Sequence, residues 1–400
     1  MKKLSIIFLV LFAITVILTT CQTTANGYST SYDPAALFDL PGFGIGINIG
    51  NTLDAIGTNE WHSKETGWGN PMITREYIRA LKGHGYKTIR LPVTWAEYIG
   101  PAPGYIIGDC VFNNCRTCPN RMDRVEQVVN WILEEGLYCI LNLHHDGGHS
   151  DKSWILDMST NEAEALRKFE TVWRQIAMRF RNTSDKLILE SMNEVGFDDL
   201  WNRWGNDQSG KPEAFRKLNV LNQAFVNTVR ATGGVNATRQ LLIAGYWTDI
   251  EVTCDPLFVM PRDVIADKLI LSVHYYTPPQ FCIAEEKDTS WGFRNDWGNK
   301  RTIQADTAEL IQKFDMLKTN FLDKGIPVIL GEYGATKKNK VEAGRIRWMI
   351  AVTQTSLDYG ICPVLWETGL ENGGGEVQRR APFGISVTLQ KVLAALRTDI

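Results

Sequence analysis

LILESMNE, residues 187–194, is the stretch on which the fold turns. It begins as an apolar, β-rich run and closes on an amide and a carboxylate, Asn193 and Glu194. Ending an apolar run on such groups is costly unless the strand opens there into a solvated site. The same design recurs in both directions along the chain. Short apolar runs stand at 43–50, 87–93, 138–145, 187–194, 240–246, 269–277, 327–333 and 362–368. Between most of them lie stretches with helical spacing, at 121–135, 162–181, 213–231, 304–323 and 341–359. Eight strand–helix units predict an α/β fold, a single (β/α)8 TIM barrel over residues 36–400. A doubly wound open sheet is the alternative, but no Gly-rich phosphate fingerprint follows the first run to support it.

The connections are unequal in a way that places the working face. Helix-to-strand links are short, as at Gly83–Tyr86, Gly136 and Gly325, whereas strand-to-helix links are long, at 98–120, 146–160, 196–212, 278–301 and 369–386. In a barrel the long loops all rise from the C-terminal ends of the strands, where active sites sit. They are rich in Trp, Asp, Glu and Asn, which suits the wall of a sugar groove. Polar or aromatic residues end seven of the eight runs: Asn48, Arg90, His144 with His145, Asn193 with Glu194, His274 with Tyr276, Glu332, and Trp366. Strands four and seven lie nearly opposite in an eight-stranded ring, so Glu194 and Glu332 can face each other across its mouth. Glycoside hydrolysis needs such a pair, one acid to protonate the leaving oxygen and one carboxylate to attack the anomeric carbon. A salt bridge to Arg90 is the structural alternative for either one alone.

Composition narrows the class further. The 400 residues carry 42 Lys+Arg against 45 Asp+Glu, a net charge of -3, and are 44% hydrophobic. That content excludes a disordered chain, and the lack of a basic excess argues against a nucleic-acid partner. The 13 Trp offer flat faces for the C–H faces of sugar rings, although most Trp in any protein is core. Trp131 and Trp173 fall in helical patterns and are expected in the core. Trp201, beside Trp204 in the long loop after Glu194, is expected to be an acceptor-side sugar platform, with one stripe of a helix packed on the barrel as the alternative. For Trp291 and Trp297 groove lining and lid packing both stand open.

The motifs together resemble glycoside hydrolase family 5. They are GINIGNTLDA (46–55), WGNP (68–71), KTIRLPVTW (87–95), LNLHHDGG (141–148), ILESMNE (188–194), SVHYYTP (272–278), VILGEYG (328–334) and VLWETG (364–369). The resemblance spans residues 36–398 and is nearest the endoglucanase branch that acts on β-1,4-glucans and xyloglucan. It implies a retaining endo-β-1,4-glucanase without a cofactor, with Glu194 as acid/base and Glu332 as nucleophile. Arg90 and Tyr276 would hold the nucleophile ionised, Asn193 would bond the sugar 2-hydroxyl, and His274 would orient Glu194. His144 and His145 would line the same subsite, and Trp366 would lie beneath the sugar. Asn48 and Trp68 would belong to donor-side subsites. Glu194 is expected to titrate higher than Glu332. Ile47, where the family usually has an aromatic residue, and Glu367-Thr368-Gly369, where it often has Asp-Asn-Gly, depart from the pattern, as do the loop at 372–375 and the Cys-rich segment 98–120. Mannan, xylan or mixed-linkage glucan as substrate, and a non-catalytic glycan-binding lipoprotein, are the competing readings. The complete set of catalytic and supporting residues counts against the last.

His144, His145, Asp146 and His149 could be read as a zinc cluster, but barrel metallohydrolases spread their ligands over several strands, so no metal is expected. At the N-terminus, Lys2 and Lys3 precede an uncharged run from Leu4 to Leu18, shorter than the roughly 20 residues of a spanning helix. Residues 1–20 therefore read as an export signal. The sequence Leu18-Thr19-Thr20-Cys21 resembles a lipoprotein box with Cys21 as the lipid-bearing residue, Thr20 departing from its usual small residue. Cleavage near Ala25 is the alternative. Residues 21–35 read as a polar tether, which suits a protein at the cell surface or outer membrane, or a secreted one; a monomer is expected. Of the later cysteines, Cys139 and Cys362 read as core. Cys110, Cys115 and Cys118 read as a disulfide-pinned loop rather than a zinc site, with pairing to Cys254 and Cys282 left open.

Overall fold

The computed structural model describes residues 33–57, 65–108, 120–148, 150, 152–287, 292–370 and 375–396. The export signal, Cys21, most of the tether, Cys110, Cys115, Cys118, His149, Trp291 and residues 372–374 lie outside the described residues. Eight strands, β1 (Gly46–Asn48), β2 (Thr88–Leu91), β3 (Tyr138–Asn142), β4 (Leu187–Glu190), β5 (Leu241–Asp249), β6 (Leu269–Tyr275), β7 (Val328–Tyr333) and β8 (Cys362–Leu365), close in sequence order into a parallel barrel. β1 completes the ring by pairing with both β2 and β8. Every expected apolar run supplies one strand. Helices lie between the strands, at α1 (Arg75–Gly83), α2 (Arg121–Glu134), α3 (Glu162–Arg179), α4 (Lys211–Ala231), the short α5 (Ile250–Thr253) and α6 (Pro279–Cys282), α7 (Ile303–Asn320), α8 (Glu342–Asp358) and α9 (Val387–Leu396). Parallel strands buried on both faces explain why the runs read as continuous rather than alternating.

The period of two along a strand sorts the interior into layers. Ile140, Ile188, Leu242, Ile270, Ile329 and Val364 form an apolar layer inside the barrel, closed from below by Leu37, Phe43 and Tyr138. Two residues further along the same inward faces stand Asn142, Glu190 and Ser272, joined by Asn48 and Arg90. The barrel is therefore oily at its floor and polar at its mouth. The outer faces of the strands pack against helices in the larger core, for example Val125, Val128 and Ile132 of α2 and Phe169, Val172 and Ile176 of α3.

Helix ends are set locally. Thr74 caps α1 by accepting from the Tyr77 N–H, and Asn120 caps α2 by accepting from Met122 and Asp123. The strand ladders stop before the expected runs do, at Asn142 and Glu190 for example, because the polar ends peel away to build the site. β5 does the opposite and runs on to Asp249, with its pairing to β6 shifting register after Ala244. Within that irregularity Trp247 (φ 54°) and Thr248 (φ 49°) are left-handed, a conformation costly for side chains of this size.

Several tryptophan expectations resolve here. Trp173 is core and donates to the Ser191 carbonyl, while Trp131 packs half-buried against the core. Trp297 is 2% exposed and packed in the core, so it does not line a groove. Trp201 corrects the expectation of a sugar platform. It is only 6% exposed, packed on Phe215 and Tyr246, with Nε1 donating to Gln208 at 2.9 Å. The loop folds back over α4 and buries position 201, leaving Trp204, 82% exposed, at the surface. Cys139 and Cys362 are buried in strands, and burial pushes both thiols up. Cys254 and Cys282 carry free thiols among the described residues.

Candidate active site

Arg90 is the hub. It is wholly buried near the end of β2 and spends its guanidinium on four side chains from four directions. Nε donates to Glu190 at 2.7 Å, Nη1 to Glu332 at 2.6 Å and to Asn48 at 3.0 Å, and Nη2 to Asn193 at 2.7 Å. Burial alone would lower its pKa, but Glu190 and then Glu332 hold it above the ordinary value. A planar fork of five donors can serve such a set, which a lysine cannot.

Glu332, in β7, accepts from Arg90 on Oε1 and from the Tyr276 hydroxyl on Oε2 at 2.9 Å. His274 Nδ1 lies 3.7 Å from Oε2. Glu194 stands beyond β4 in a left-handed conformation (φ 44°) and pairs its Oε1 with His274 Nδ1 at 2.8 Å. Its side chain is 40% exposed, against 6% for Glu332. One oxygen of each carboxylate and a His274 nitrogen all lie within 4.8 Å of one another. Both supporting contacts inferred for Arg90 and Tyr276 are thus in place, and His274 does hold Glu194.

In the open cleft, burial and contacts pull the two acids in opposite directions. Burial raises Glu332 and prevails over the lowering by His274 and Arg90, with Glu194 adding to the rise. Burial also pushes Glu194 up, yet the hydrogen bond and charge of His274, helped by Arg90, leave it lowered. The two acids titrate as a pair. Both Glu332 oxygens nevertheless accept hydrogen bonds, from Arg90 and from Tyr276, as those of a carboxylate do.

Hydrogen bonds fix the orientation of the remaining polar groups. Asn193 Oδ1 is taken by Arg90, which leaves its amide N–H groups free to donate. Asn142 Oδ1 accepts from the Val93 N–H, so its Nδ2 is the donor to both Glu190 Oε2 (3.1 Å) and His144 Nδ1 (3.2 Å). His144 accordingly carries its proton on Nε2. Burial, with His145 and Arg90 nearby, lowers its pKa well below the usual value and keeps the ring neutral. The ring lies parallel to Trp366, at an interplanar angle of 4° and 5.7 Å between centroids. Gly50 makes room for that indole, since a Cβ there would sit 2.7 Å from it. His145 meets His144 edge-on at 4.6 Å and Trp68 at 5.7 Å, and Trp68 anchors through Nε1 to the Ile56 carbonyl. Trp366, His144, His145 and Trp68 thus form one continuous aromatic wall.

Asn48 corrects a second expectation. It is fully buried, its Nδ2 donating to the Gly331 carbonyl at 2.9 Å and its Oδ1 accepting from Arg90. Its polar atoms are engaged inside the barrel, so it braces β1 against β7 and Arg90 instead of touching a sugar. Of the residues weighed as an alternative metal cluster, Asp146 does not join the two histidines. Asp146 turns away to accept from the Trp95 N–H and Trp154 Nε1. A different trio, Asp54, His144 and His145, comes within 4.8 Å, but Asp54 accepts backbone N–H groups on both oxygens and His144 Nδ1 is engaged by Asn142. Sequence reading missed Glu190, Asn142 and Trp247. The alternation of LILESMNE already put Glu190 on the inward face, two residues past Ile188; no comparable signal marked Trp247.

Fold and site define a class: a (β/α)8 glycosidase with two carboxylates close together beside an aromatic wall. The family model for cellulase (glycosyl hydrolase family 5) matches residues 50–371. Endoglucanase A of Paenibacillus barcinonensis is 35% identical over 391 residues, covering 92% of this chain and 93% of that one. Among solved structures, a broad-specificity endoglucanase from an uncultured bovine rumen ciliate aligns with a TM-score of 0.76 at 34% identity, over 92% of this chain and 99% of its own. A family 5 xyloglucanase from Paenibacillus pabuli aligns with a TM-score of 0.77 at 32% identity, over 91% and 99%. The chain belongs to glycoside hydrolase family 5 and is an endo-acting, retaining hydrolase of β-glucans.

Proposed function

We propose that Glu332 is the nucleophile and Glu194 the acid/base of an endo-β-1,4-glucanase acting on cellulose-type glucans and xyloglucan. The observation that carries this reading is the approach of the two carboxylates to within 4.8 Å. A retaining pair works at about 5–5.5 Å, whereas an inverting pair needs roughly 6.5–9.5 Å to admit a water molecule. In the first step a Glu332 oxygen bonds to the anomeric carbon. The glycosidic C–O bond breaks, and the proton of Glu194 goes to the departing oxygen. In the second, water attacks that carbon, Glu194 takes a proton from it, and the bond to Glu332 breaks.

A sugar in the cleft removes water from Glu194, which disfavours its anion and favours the protonated acid that the first step needs. Arg90 and Tyr276 then stabilise the nucleophile's charge, and the free Asn193 amide donates to the 2-hydroxyl. The His144 Nε2–H points its donor at the same sugar, whose face rests on Trp366. Trp247 donates from Nε1 to Asp198 at 3.1 Å and packs on Gly196, two residues beyond the acid. We assign it to the acceptor side. Export by the segment 1–20, with a lipid on Cys21 and a monomeric enzyme at the cell surface, completes the reading. No helix among the described residues is long and apolar enough to cross a membrane.

Reducing-sugar release from carboxymethylcellulose, xyloglucan, mixed-linkage glucan, mannan and xylan tests the assignment. Wild type should release sugar from the first two, and Glu332→Gln should release none. Release from mannan or xylan alone would overturn the substrate assignment. Mass spectrometry of the mature chain should find a diacylglycerol on Cys21, and an unmodified start near Asn26 would refute the anchor.

A further inference from the structure

Arg90 serves two carboxylates, and the mechanism above uses only one of them. The other, Glu190, is wholly enclosed at the end of β4. Its Oε2 accepts from Arg90 Nε at 2.7 Å and from Asn142 Nδ2 at 3.1 Å, and its Oε1 accepts from Ser272 Oγ at 2.7 Å. A carboxylate beneath the hub of an active site is costly to bury, and a barrel floor of isoleucines would fill the space without it.

Its placement points to a task. An Arg side chain rotates about its stem until its donors find partners. Clamping Nε leaves the two terminal nitrogens one orientation, with Nη1 on Glu332 and Nη2 on Asn193. The clamp also shares charge. One guanidinium faces two carboxylates, so what Arg90 gives to Glu190 is withheld from Glu332. Through Asn142 the same carboxylate fixes which nitrogen of His144 bears its proton. We propose that Glu190 is a positioning residue for hydrolysis: it aims Arg90 and, by dividing that cation's charge, sets the pH at which Glu332 becomes competent to attack. The proposal rests on Glu332 being the nucleophile.

The groups facing Glu332 are Arg90 from β2, His274 from β6, Tyr276 just beyond β6 and Glu194 beyond β4. Those facing Glu190 are Arg90, Asn142 and Ser272, with His144 one bond further on. Substituting Glu190 leaves every direct neighbour of Glu332 in place, so a change in the nucleophile's titration can reach it only through Arg90 or through space.

The probe is 2,4-dinitrophenyl β-cellobioside, whose leaving group departs without a proton, so the acid limb of kcat/KM reports the nucleophile. Glu190→Gln can keep the bonds to Arg90 and Ser272 while deleting the charge. Arg90 then acts on Glu332 undivided, and the acid limb should move to lower pH by about one unit. Glu190→Asp keeps the charge but shortens the reach. Its limb should stay put while kcat falls about tenfold or more with KM and melting temperature near wild type. An unmoved limb in Glu190→Gln, or wild-type kcat in Glu190→Asp, would overturn the proposal. Loss of fold in both variants would also overturn it, by assigning Glu190 to barrel stability; if only Glu190→Gln fails to fold, Glu190→Asp decides. Glu332→Gln run alongside separates the two claims. Activity there would sink the nucleophile, whereas a dead Glu332→Gln with an unmoved Glu190→Gln limb would sink only the role of Glu190.

Discussion

Arg90→Lys removes the fork and keeps the charge. The guanidinium makes four bonds of 2.6–3.0 Å, all inside a sealed interior. An ammonium is a point donor and ends near where the guanidinium carbon stood, on the Glu190 side of the site. It can keep about two of the four bonds, the one toward Glu190 and one of the three made by the terminal nitrogens, so at least one of Glu332 and Asn193 loses its donor. Each lost charge-assisted bond is worth about 1.5–3 kcal/mol, so two of them amount to about 3–6 kcal/mol. At least one of the lost bonds holds a group that acts on the sugar, so most of the loss should fall on the transition state. At about 1.4 kcal/mol per tenfold change, kcat/KM should drop by about 10² to 10⁴. Because Arg90 lowers Glu332, its loss should also raise the acid limb of the pH profile. Steady-state kinetics on an aryl cellobioside from pH 4 to 8, with thermal melts alongside, measure both effects. Activity within tenfold of wild type, or a loss accounted for entirely by unfolding, would refute the reasoning.

Three further outcomes follow from the geometry. In Gly196→Ala the new methyl would land inside the Trp247 indole, so the ring must move; a melting loss equivalent to about 1–3 kcal/mol is expected. KM for long cello-oligosaccharides should rise with little change on an aryl cellobioside, and an unaltered KM would remove Trp247 from the acceptor side. Asp146 is pushed up to about 6 by burial, so the folded chain binds more protons than the unfolded one between about pH 4 and 6, and its contribution to stability falls as pH rises through that window. Asp146→Asn should flatten that slope whatever its constant offset in melting temperature, and an unchanged slope would contradict the assignment. Glu194→Gln should lose about 10² to 10⁴ in rate on substrates whose leaving group needs a proton. It should keep the first step on dinitrophenyl cellobioside and be rescued by azide with net retention; equal losses on both substrates would exclude it as the acid.

The strands were legible because a parallel barrel buries both faces of each strand, which writes eight continuous apolar runs into the chain. The catalytic pair was legible for a related reason: a carboxylate closing such a run has few structural explanations. What stayed hidden depends on how loops fold back. Nothing in Trp201-Asn202-Arg203-Trp204 says which indole α4 will cover, and packing on Phe215 and Tyr246 decides it. Asn48 read as a sugar ligand because its position at a strand end is the same whether the side chain points up into the cleft or across to Gly331. The ionisation of the pair was not legible because it depends on enclosure and on the His274 contact, neither of which spacing reveals. Helices α1 and α9 were not marked in advance. In α1, nine residues bury only Tyr77, Ile78 and Leu81.

The central claim is that Glu332 forms the covalent bond to the sugar. Incubation with 2,4-dinitrophenyl 2-deoxy-2-fluoro-β-cellobioside should trap that intermediate, because the fluorine slows both steps while the activated leaving group restores the speed of the first alone. Peptide mass spectrometry should then place one fluorocellobiosyl group on Glu332. A label on any other residue, or turnover that leaves no adduct while the second carboxylate activates water directly, would contradict the account.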